Sequence, residues 1–391
     1  MESDITQIIA SFVLLLWIDF IFLTLVRALR LPDFLGHVVT GIVYSTVFFS
    51  PVDWFPSNHG NPSFNLPDII YFLAQAGLFF FFLEFGFKLP LKTPDSEASA
   101  NYRDLILYSL LILLFFSLSL SLISPGKVSP VTILYIPIAF LAADMSGLVM
   151  AGHSNLDRLR SRYLNFIRFS LNLEVVALIA FFLLLVTHFF SIQDIELYEF
   201  VLFIVSLVWL WFLSGSKFEP FRTRTQDRKA LFLILVGVII WIPVFILEIQ
   251  LSVIIAGFVS GVILQFLARW NRITPEAVPL KVFRFFMIFP ILVCGFLFQN
   301  PLNWFVVCLN LVVLLLALVL AALIMGMYWA LKDEDFFIPS AALLFRGEFT
   351  LFLILWGYFQ QIVSTELVVS LVFLIGLMQI VGRLSPLQKW I

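Results

Sequence analysis

The chain has 391 residues, of which 62% are hydrophobic and only 12% are charged. Soluble domains are roughly 45–50% apolar and about 25% charged, so a soluble globular protein could not cover this much apolar surface, and disorder requires low hydrophobicity. The formal net charge of −2 carries no information about nucleic acid. The remaining class is an all-α polytopic membrane protein, whose backbone polar groups are satisfied internally.

A membrane-spanning helix needs about 20 mostly apolar residues. Breaks at charge, proline and glycine clusters divide the chain into about thirteen such spans. The longest polar stretches have the length of ordinary loops, so we expect one transmembrane domain over residues 1–391. In chain order the predicted spans are 5–29, 33–50, 67–88, 103–124, 131–151, 163–190, 197–214, 229–248, 251–268, 280–300, 303–331, 336–357 and 363–383.

Basic residues are concentrated in every second connection between the predicted spans, as thirteen spans require. All but three of the 23 Lys and Arg residues lie in, or at the edge of, every second connection. The exceptions are Lys127, in an opposite connection, and Arg168 and Arg346, inside spans. Because cytoplasmic loops carry the excess of basic residues, we expect the N-terminus outside and the C-terminus in the cytoplasm. We expect the membrane to be the bacterial inner (plasma) membrane.

The chain contains a weak internal repeat. Val38–Val43 in the second span resembles Ile254–Val259 in the ninth, and the third and tenth spans are both Phe-rich and end near a glycine. These similarities predict one repeat at about 5–190 and another at about 229–383, joined by a linker helix at about 197–214. An offset of seven spans gives the six-helix repeats opposite orientations, which is typical of transporters with discontinuous helices at the substrate site.

Charges inside the spans are informative because a charge at the bilayer centre costs about 2.5–3.5 kcal/mol on insertion scales. At 1.5 Å per residue, Glu174, Arg346 and Asp144 lie roughly 17, 15 and 12 Å from the inner ends of their helices. Asp144 lies among small residues, with Pro137 upstream, which suits an unwound helix. These charges predict a cation site on Asp144 and Glu174, with Arg346 as the competing internal charge. A salt-bridged core without transport is the alternative.

Further embedded groups are candidates at the same site. We predict core charge partners and auxiliary polar groups at Arg346, Glu348, Glu84, Arg168, Asn172 and Ser146. Several have simpler interpretations: Glu84 lies four residues before Lys88, the spacing of a helical ion pair, and Arg168 could snorkel to the interface. Asn172 could hydrogen-bond between helices, and Asp19 suits a helix contact at least as well.

The embedded charges favour a cation over an anion as cargo. Counted in the interiors of the spans, there are five acids against two bases, namely Asp19, Glu84, Asp144, Glu174 and Glu348 against Arg168 and Arg346. A lone carboxylate can bind a proton or a small monovalent cation, but not both. Nucleotide, phosphate-loop and metal-ligand motifs are absent, and Cys294 and Cys308 lie in apolar runs, which argues against a disulfide framework. We therefore expect neither an enzyme nor a cofactor, and no nucleic-acid partner.

Six segments, in order, resemble the monovalent cation:proton antiporter (sodium/proton exchanger) superfamily over nearly the whole chain. Arg30–Gly41 resembles the family's "R-L-P-x-x-L-G-x-x-x-x-G" signature, and Ser170–Glu174 falls on "S-L-L-N-D", where Glu174 matches the ion-binding Asp. Asp144 matches the Asp of "A-T-D-P" in the first broken helix. The other resembling segments are Phe82–Phe87 ("F-E-x-G-L"), Leu251–Phe258 ("L-S-x-x-x-G-A-F") and Arg346-Gly347 of the second broken helix.

The chain departs from the family pattern around the ion site. The Thr and Pro of the first broken helix are Ala143 and Met145. The Asn before the ion-binding carboxylate is Leu173, the carboxylate is a Glu, and the acid that often precedes the Ser is Phe169. These departures leave open a second hypothesis, a degenerate relative that senses or scaffolds without transport. A third hypothesis is an ion channel, and the apolar lining of the spans argues against it.

The resemblance implies a fold and a mechanism. It implies a homodimer with a scaffold of spans 1–3 and 8–10, and a moving core of spans 4–6 and 11–13 in which the fifth and twelfth cross as discontinuous helices. Glu174 would bind H⁺ or Na⁺ (or K⁺/Li⁺) in turn, and Asp144 with carbonyls of the fifth span would complete the ion shell. Arg346 would balance the core and Glu348 would tune it.

Overall fold

The computed structural model describes residues 2–29, 31–48, 66–88, 102–123, 128–141, 169, 172–181, 183–184, 253–270, 284–331, 343–344 and 346–384. Regular structure within these ranges is helical, which confirms the all-α class. The predicted spans 197–214 and 229–248 lie outside them. The helices are α1 Glu2–Ala28, α2 Asp33–Phe48, α3 Leu66–Lys88, α4 Tyr102–Ile123, α5 Pro130–Ala139, α6 Asn172–Phe181, α7 Val253–Trp270, α8 Arg284–Phe296, α9 Trp304–Ala330, α10 Glu348–Phe359 and α11 Thr365–Leu384.

The long helices present apolar surface outward. Within the described residues, four segments are long and apolar enough to cross a membrane: Ile9–Ala28, Ile69–Phe87, Arg103–Ile123 and Trp304–Ala330. Large apolar side chains on α1 and α9 are exposed, with Trp17 at 63% and Phe305 at 75%. Water disfavours a continuous apolar surface of this kind, so these faces are the ones that contact lipid.

The chain divides into two compact units. In the first unit α1 packs on α2, α4 on α9, α9 on α11, and α10 on both α5 and α11. In the second unit α3 packs against α7. The first unit comprises Met1–Pro67, Asp95–Leu183 and Ile291–Ile391, and the second comprises Asp68–Pro94 and Leu184–Pro290.

Glycines set the closest helix crossing in the first unit. A Cβ atom on Gly41 of α2 would lie 2.8 Å from the Cα atom of Gly295 in α8. A Cβ atom on Gly295 would lie 2.7 Å from the Cα atom of Gly41. Small residues of this kind allow membrane helices to approach backbone to backbone, so the α2–α8 contact depends on both glycines.

The second unit contains a comparable crossing between α3 and α7. A Cβ atom on Gly257 would lie 3.2 Å from the carbonyl carbon of Phe79, and one on Gly261 would lie 3.0 Å from that of Leu83. Both helices advance four residues between these contacts, so they run parallel. The third and ninth predicted spans are both odd-numbered, and parallel packing is the direction that the alternating spans require.

Helix α5 is short and contains a proline. Ser129 caps its N-terminus, where the Ser129 hydroxyl accepts a hydrogen bond from the amide of Thr132 at 3.1 Å. Pro137 has no N–H for the carbonyl of Ile133, and the Ser117 hydroxyl of α4 donates to that oxygen at 3.2 Å. The helix ends at Ala139, so the predicted span 131–151 is not one continuous helix.

We predict that Gly41→Ala lowers stability while Gly376→Ala does not. The new methyl group at position 41 meets backbone on α8, which cannot move aside, and overpacking of this kind costs about 1–3 kcal/mol. At position 376 the nearest atom is the Leu35 Cδ2 atom at 3.3 Å, the end of a flexible side chain. Thermal unfolding in detergent measures both, and equal melting temperatures for the two variants would refute the crossing as described.

Candidate functional site

The twelfth predicted span is interrupted at Arg346 and Gly347. These two residues are non-helical, and α10 begins only at Glu348, with Gly347 in an extended conformation as its N-cap. Gly347 has no side chain to cap the first amides of α10, and the positive end of the helix dipole lies at this point. The discontinuity expected from the Arg-Gly pair is therefore present, at the depth predicted for the membrane centre.

Arg346 is fully buried, and several elements of the first unit surround it. Its Nη1 atom donates to the carbonyl of Leu343 at 2.6 Å, and its Nη2 atom donates to the hydroxyl of Tyr108 on α4 at 2.6 Å. The guanidinium carbon lies 5.8 Å from the centroid of the Phe140 ring, just after α5. Gln379 of α11 donates to the Arg346 carbonyl at 2.9 Å. The protein thus supplies polar and aromatic partners for a charge that lipid would not accept.

Glu174 lies on α6 and is partly exposed. Two ring contacts bracket it along the chain. Phe169, five residues earlier, lies 6.3 Å from the ring of Tyr108, the tyrosine that binds Arg346. Phe181, seven residues later, lies 5.0 Å from Trp356 of α10. Glu174 therefore lies, along the chain, between two residues whose rings pack against Tyr108 and Trp356.

The other residues predicted at this site have different environments. Asn172 is partly exposed on α6, and Glu348 is exposed in the first turn of α10, although Arg346 two residues earlier is fully buried. A carboxylate in the first turn of a helix is stabilised by the helix dipole. Asp144, Ser146 and Arg168 lie outside the described residues, so their predicted roles stay predictions.

Glu84, also predicted as a core charge partner, lies in the second unit. Its Oε1 atom is 3.0 Å from the Nη2 atom of Arg284, 200 residues further along the chain. The sequence spacing suggested Lys88 as its partner, and Arg284 was missed because nothing in the local pattern links α3 to α8. The Arg284 side chain is 56% exposed, so water screens this pair and its contribution to stability is small.

Asp19 makes a helix contact. Its Oδ1 atom lies 2.7 Å from the Nδ1 atom of His37, and both side chains are buried between α1 and α2. This agrees with the interpretation of Asp19 as a contact residue. The sequence offered no signal for His37 as its partner, because a histidine near a helix end is an ordinary occurrence.

Three rings form an aromatic cluster where α5, α6 and α10 meet. Tyr135, Phe181 and Trp356 have ring centroids 5.0 to 6.1 Å apart, and all three are at most 1% exposed. The Tyr135 hydroxyl also donates to the carbonyl of Leu353 in α10. Phe181 lies roughly 10 Å along α6 from Glu174 at 1.5 Å per residue, on the side predicted to face outward. On the predicted outward side of Glu174, these three rings therefore fill the space where α5, α6 and α10 meet.

The described residues contain no group of three or more His, Cys, Asp or Glu side chains that could hold a metal ion.

Three comparisons with known proteins bear on this arrangement. A family model described as "Sodium/hydrogen exchanger, transmembrane" matches residues 11–390. The solved structure of the sodium proton antiporter MjNhaP1 from Methanocaldococcus jannaschii at pH 8 has a TM-score of 0.60 and 12% sequence identity, covering 99% of this chain and 97% of that chain. At this identity the likeness shows a shared fold. A search of curated protein sequences gave no match.

We predict that Phe181→Ala destabilises the protein, and that Phe305→Ala, the same change on an exposed face, does not. Removing a fully buried ring leaves a cavity and costs about 3–5 kcal/mol. Phe305 is 75% exposed, so its removal leaves no cavity. The measurement is the unfolding temperature of each purified variant. A Phe181→Ala protein as stable as Phe305→Ala would show that the aromatic cluster does not hold the three helices together.

Proposed function

We propose a transport cycle for this chain, which belongs to the sodium/hydrogen exchanger family. Members of that family are transporters in a membrane and not enzymes, so the predicted class, a multi-pass membrane protein without enzymatic activity, is confirmed. In the proposed cycle the protein exchanges H⁺ for Na⁺ (or K⁺/Li⁺) by alternating access. It needs no cofactor beyond the transported ions.

Glu174 carries the proton or the cation in this proposal. The supporting observation is that Glu174 lies, along the chain, between Phe169, whose ring packs against the Tyr108 that binds Arg346, and Phe181, whose ring packs against Trp356 of α10. Glu174 is partly exposed, and the proposed cycle requires that water reach its carboxylate. Because a carboxylate holds a proton or a cation but not both, release of one ion allows binding of the other.

The two broken helices supply the rest of the proposed site. Helix α5 ends at Ala139, before Asp144 in the chain, and the carbonyls of Pro137 and Ala139 lie in its last turn. We place these carbonyls and Asp144 in the cation shell. Arg346 balances the negative charge when the cation has left, and Glu348 tunes the site from the first turn of α10.

The larger architecture follows from the same proposal. The α2–α8 crossing joins the second predicted span to the tenth, and the α3–α7 crossing joins the third to the ninth. If spans two and three of the first repeat correspond to spans nine and ten of the second, each crossing is the symmetry equivalent of the other. This supports the two inverted repeats within one domain over residues 1–391. We further propose a homodimer in a bacterial inner membrane, with its N-terminus outside and its C-terminus in the cytoplasm.

Two buried apolar residues favour the alternative, a family member that senses or scaffolds without transport. Leu173 is 0% exposed and Phe169 is 8% exposed, at positions where the family pattern has polar groups. Neither can coordinate a cation. The alternative differs from exchange in one measurable respect, since it allows no cation-driven proton movement by the unmutated protein.

We predict that Glu174→Gln abolishes Na⁺-driven dissipation of a pH gradient in proteoliposomes. The amide can neither bind a proton in this pH range nor neutralise a cation, so exchange has no carrier. The matched control is Glu366→Gln at the start of α11, which should exchange like the unmutated protein. Normal exchange by Glu174→Gln would remove this residue from the mechanism, and no exchange by the unmutated protein would favour the alternative.

A second prediction concerns stoichiometry. If one carboxylate exchanges one proton for one Na⁺, exchange moves no net charge. A voltage-sensitive dye should therefore report no potential while a pH dye reports exchange, with Na⁺, K⁺ and Li⁺ tested in turn. A Na⁺-dependent potential would show that a second negative group, with Asp144 the candidate, takes part in each cycle.

A further inference from the structure

We propose that Tyr108 is a positioning residue that holds the Arg346 guanidinium at the break before α10 and so keeps it from displacing the transported cation. This role rests on the proposed exchange function. The positioning itself rests on the contacts of Tyr108 in α4 with Leu343 and Arg346.

Tyr108, Arg346 and Leu343 form a closed triangle of hydrogen bonds. The Nη2 atom of Arg346 donates to the Tyr108 hydroxyl at 2.6 Å, and that hydroxyl donates to the Leu343 carbonyl at 3.2 Å. The Nη1 atom of Arg346 donates to the same carbonyl at 2.6 Å. Two guanidinium nitrogens are thus directed at neutral oxygens, and the non-helical segment is tied to α4.

The Tyr108 ring is itself held in place. It is 0% exposed and lies 6.3 Å from the ring of Phe169, which lies 6.0 Å from that of Trp329 on α9. The Trp329 indole donates to the Asp104 carboxylate, one turn before Tyr108 on α4, at 2.9 Å. Phe169 is the position where the family pattern often has an acid. In this chain it supports the tyrosine that binds the arginine.

Loss of the Tyr108 hydroxyl has a predictable electrostatic effect. The Nη2 atom loses its acceptor, and a buried guanidinium gains most from a carboxylate, because charge-assisted hydrogen bonds are the stronger ones. The carboxylates predicted in this core are those of the cation site. An Arg346 that turns toward them competes directly with Na⁺, so the apparent affinity for Na⁺ falls while the maximal rate changes little.

The test compares Tyr108→Phe with Tyr44→Phe. Tyr44 is also 0% exposed, and its hydroxyl also donates to a carbonyl, that of Ser11, at 2.8 Å. Both changes delete one buried hydroxyl, but only one of these hydroxyls binds Arg346. The readouts are the KM for Na⁺ and the maximal rate of exchange in proteoliposomes, together with the unfolding temperature in detergent.

We expect Tyr108→Phe to raise the KM for Na⁺ about tenfold, the usual effect of losing one hydrogen bond to a charged group, with a maximal rate within about twofold. Tyr44→Phe should leave the KM unchanged. In a protein that already carries Arg346→Lys, adding Tyr108→Phe should not raise the KM further, because the lysine ammonium cannot form the same triangle of hydrogen bonds.

Gln379→Met provides a second variant that does not touch Tyr108. It removes the donor to the Arg346 carbonyl and should raise the KM in the same direction. If the unmutated protein exchanges ions and Tyr108→Phe behaves like Tyr44→Phe, the positioning role is wrong and the exchange function stands. If the unmutated protein does not exchange ions, the proposed function fails, and this role fails with it.

Discussion

A guanidinium buried halfway along a membrane-spanning segment must find all of its partners inside the protein. The two terminal nitrogens of Arg346 donate to the Leu343 carbonyl and the Tyr108 hydroxyl, and the guanidinium lies over the ring of Phe140. These partners come from α4, from the residues before α10 and from the end of α5. A continuous helix through Arg346 would use the Leu343 carbonyl for its own backbone ladder, so the charge and the break at Gly347 depend on each other.

The surrounding helices are arranged to make this break tolerable. The carbonyl that Pro137 leaves without its helical donor in α5 accepts a hydrogen bond from Ser117. Tyr135 joins α5 to Leu353 of α10, and Thr132 joins it to Ile362 in the turn after α10. The aromatic cluster then closes the space between α5, α6 and α10 with rings. At the two described irregularities, Pro137 and Leu343, a neighbouring side chain donates to the backbone carbonyl that the helix does not use, as a membrane interior requires.

Much of the fold could be predicted from local sequence. Prolines, glycines and charges punctuate the apolar runs, so the bounds of α1, α3, α4 and α9 agree with the predicted spans within a few residues, and Gly347 marked the start of α10. Long-range pairings could not be predicted, because nothing local connects Tyr108 to Arg346, Glu84 to Arg284 or Ser117 to Ile133. A buried tyrosine in an apolar helix resembles a residue of the interfacial aromatic belt until its hydroxyl partner is known.

The central claim is that water reaches the Glu174 carboxylate in the membrane and that this carboxylate takes a proton and Na⁺ in turn. The most direct measurement is the modification of Glu174 by a membrane-permeant carbodiimide, which reacts with protonated carboxyl groups, followed by mass spectrometry of the peptide. The account predicts modification without Na⁺ and progressive protection as Na⁺ is added. A Glu174 that stays unmodified under all conditions, or that reacts equally with and without Na⁺, would contradict it.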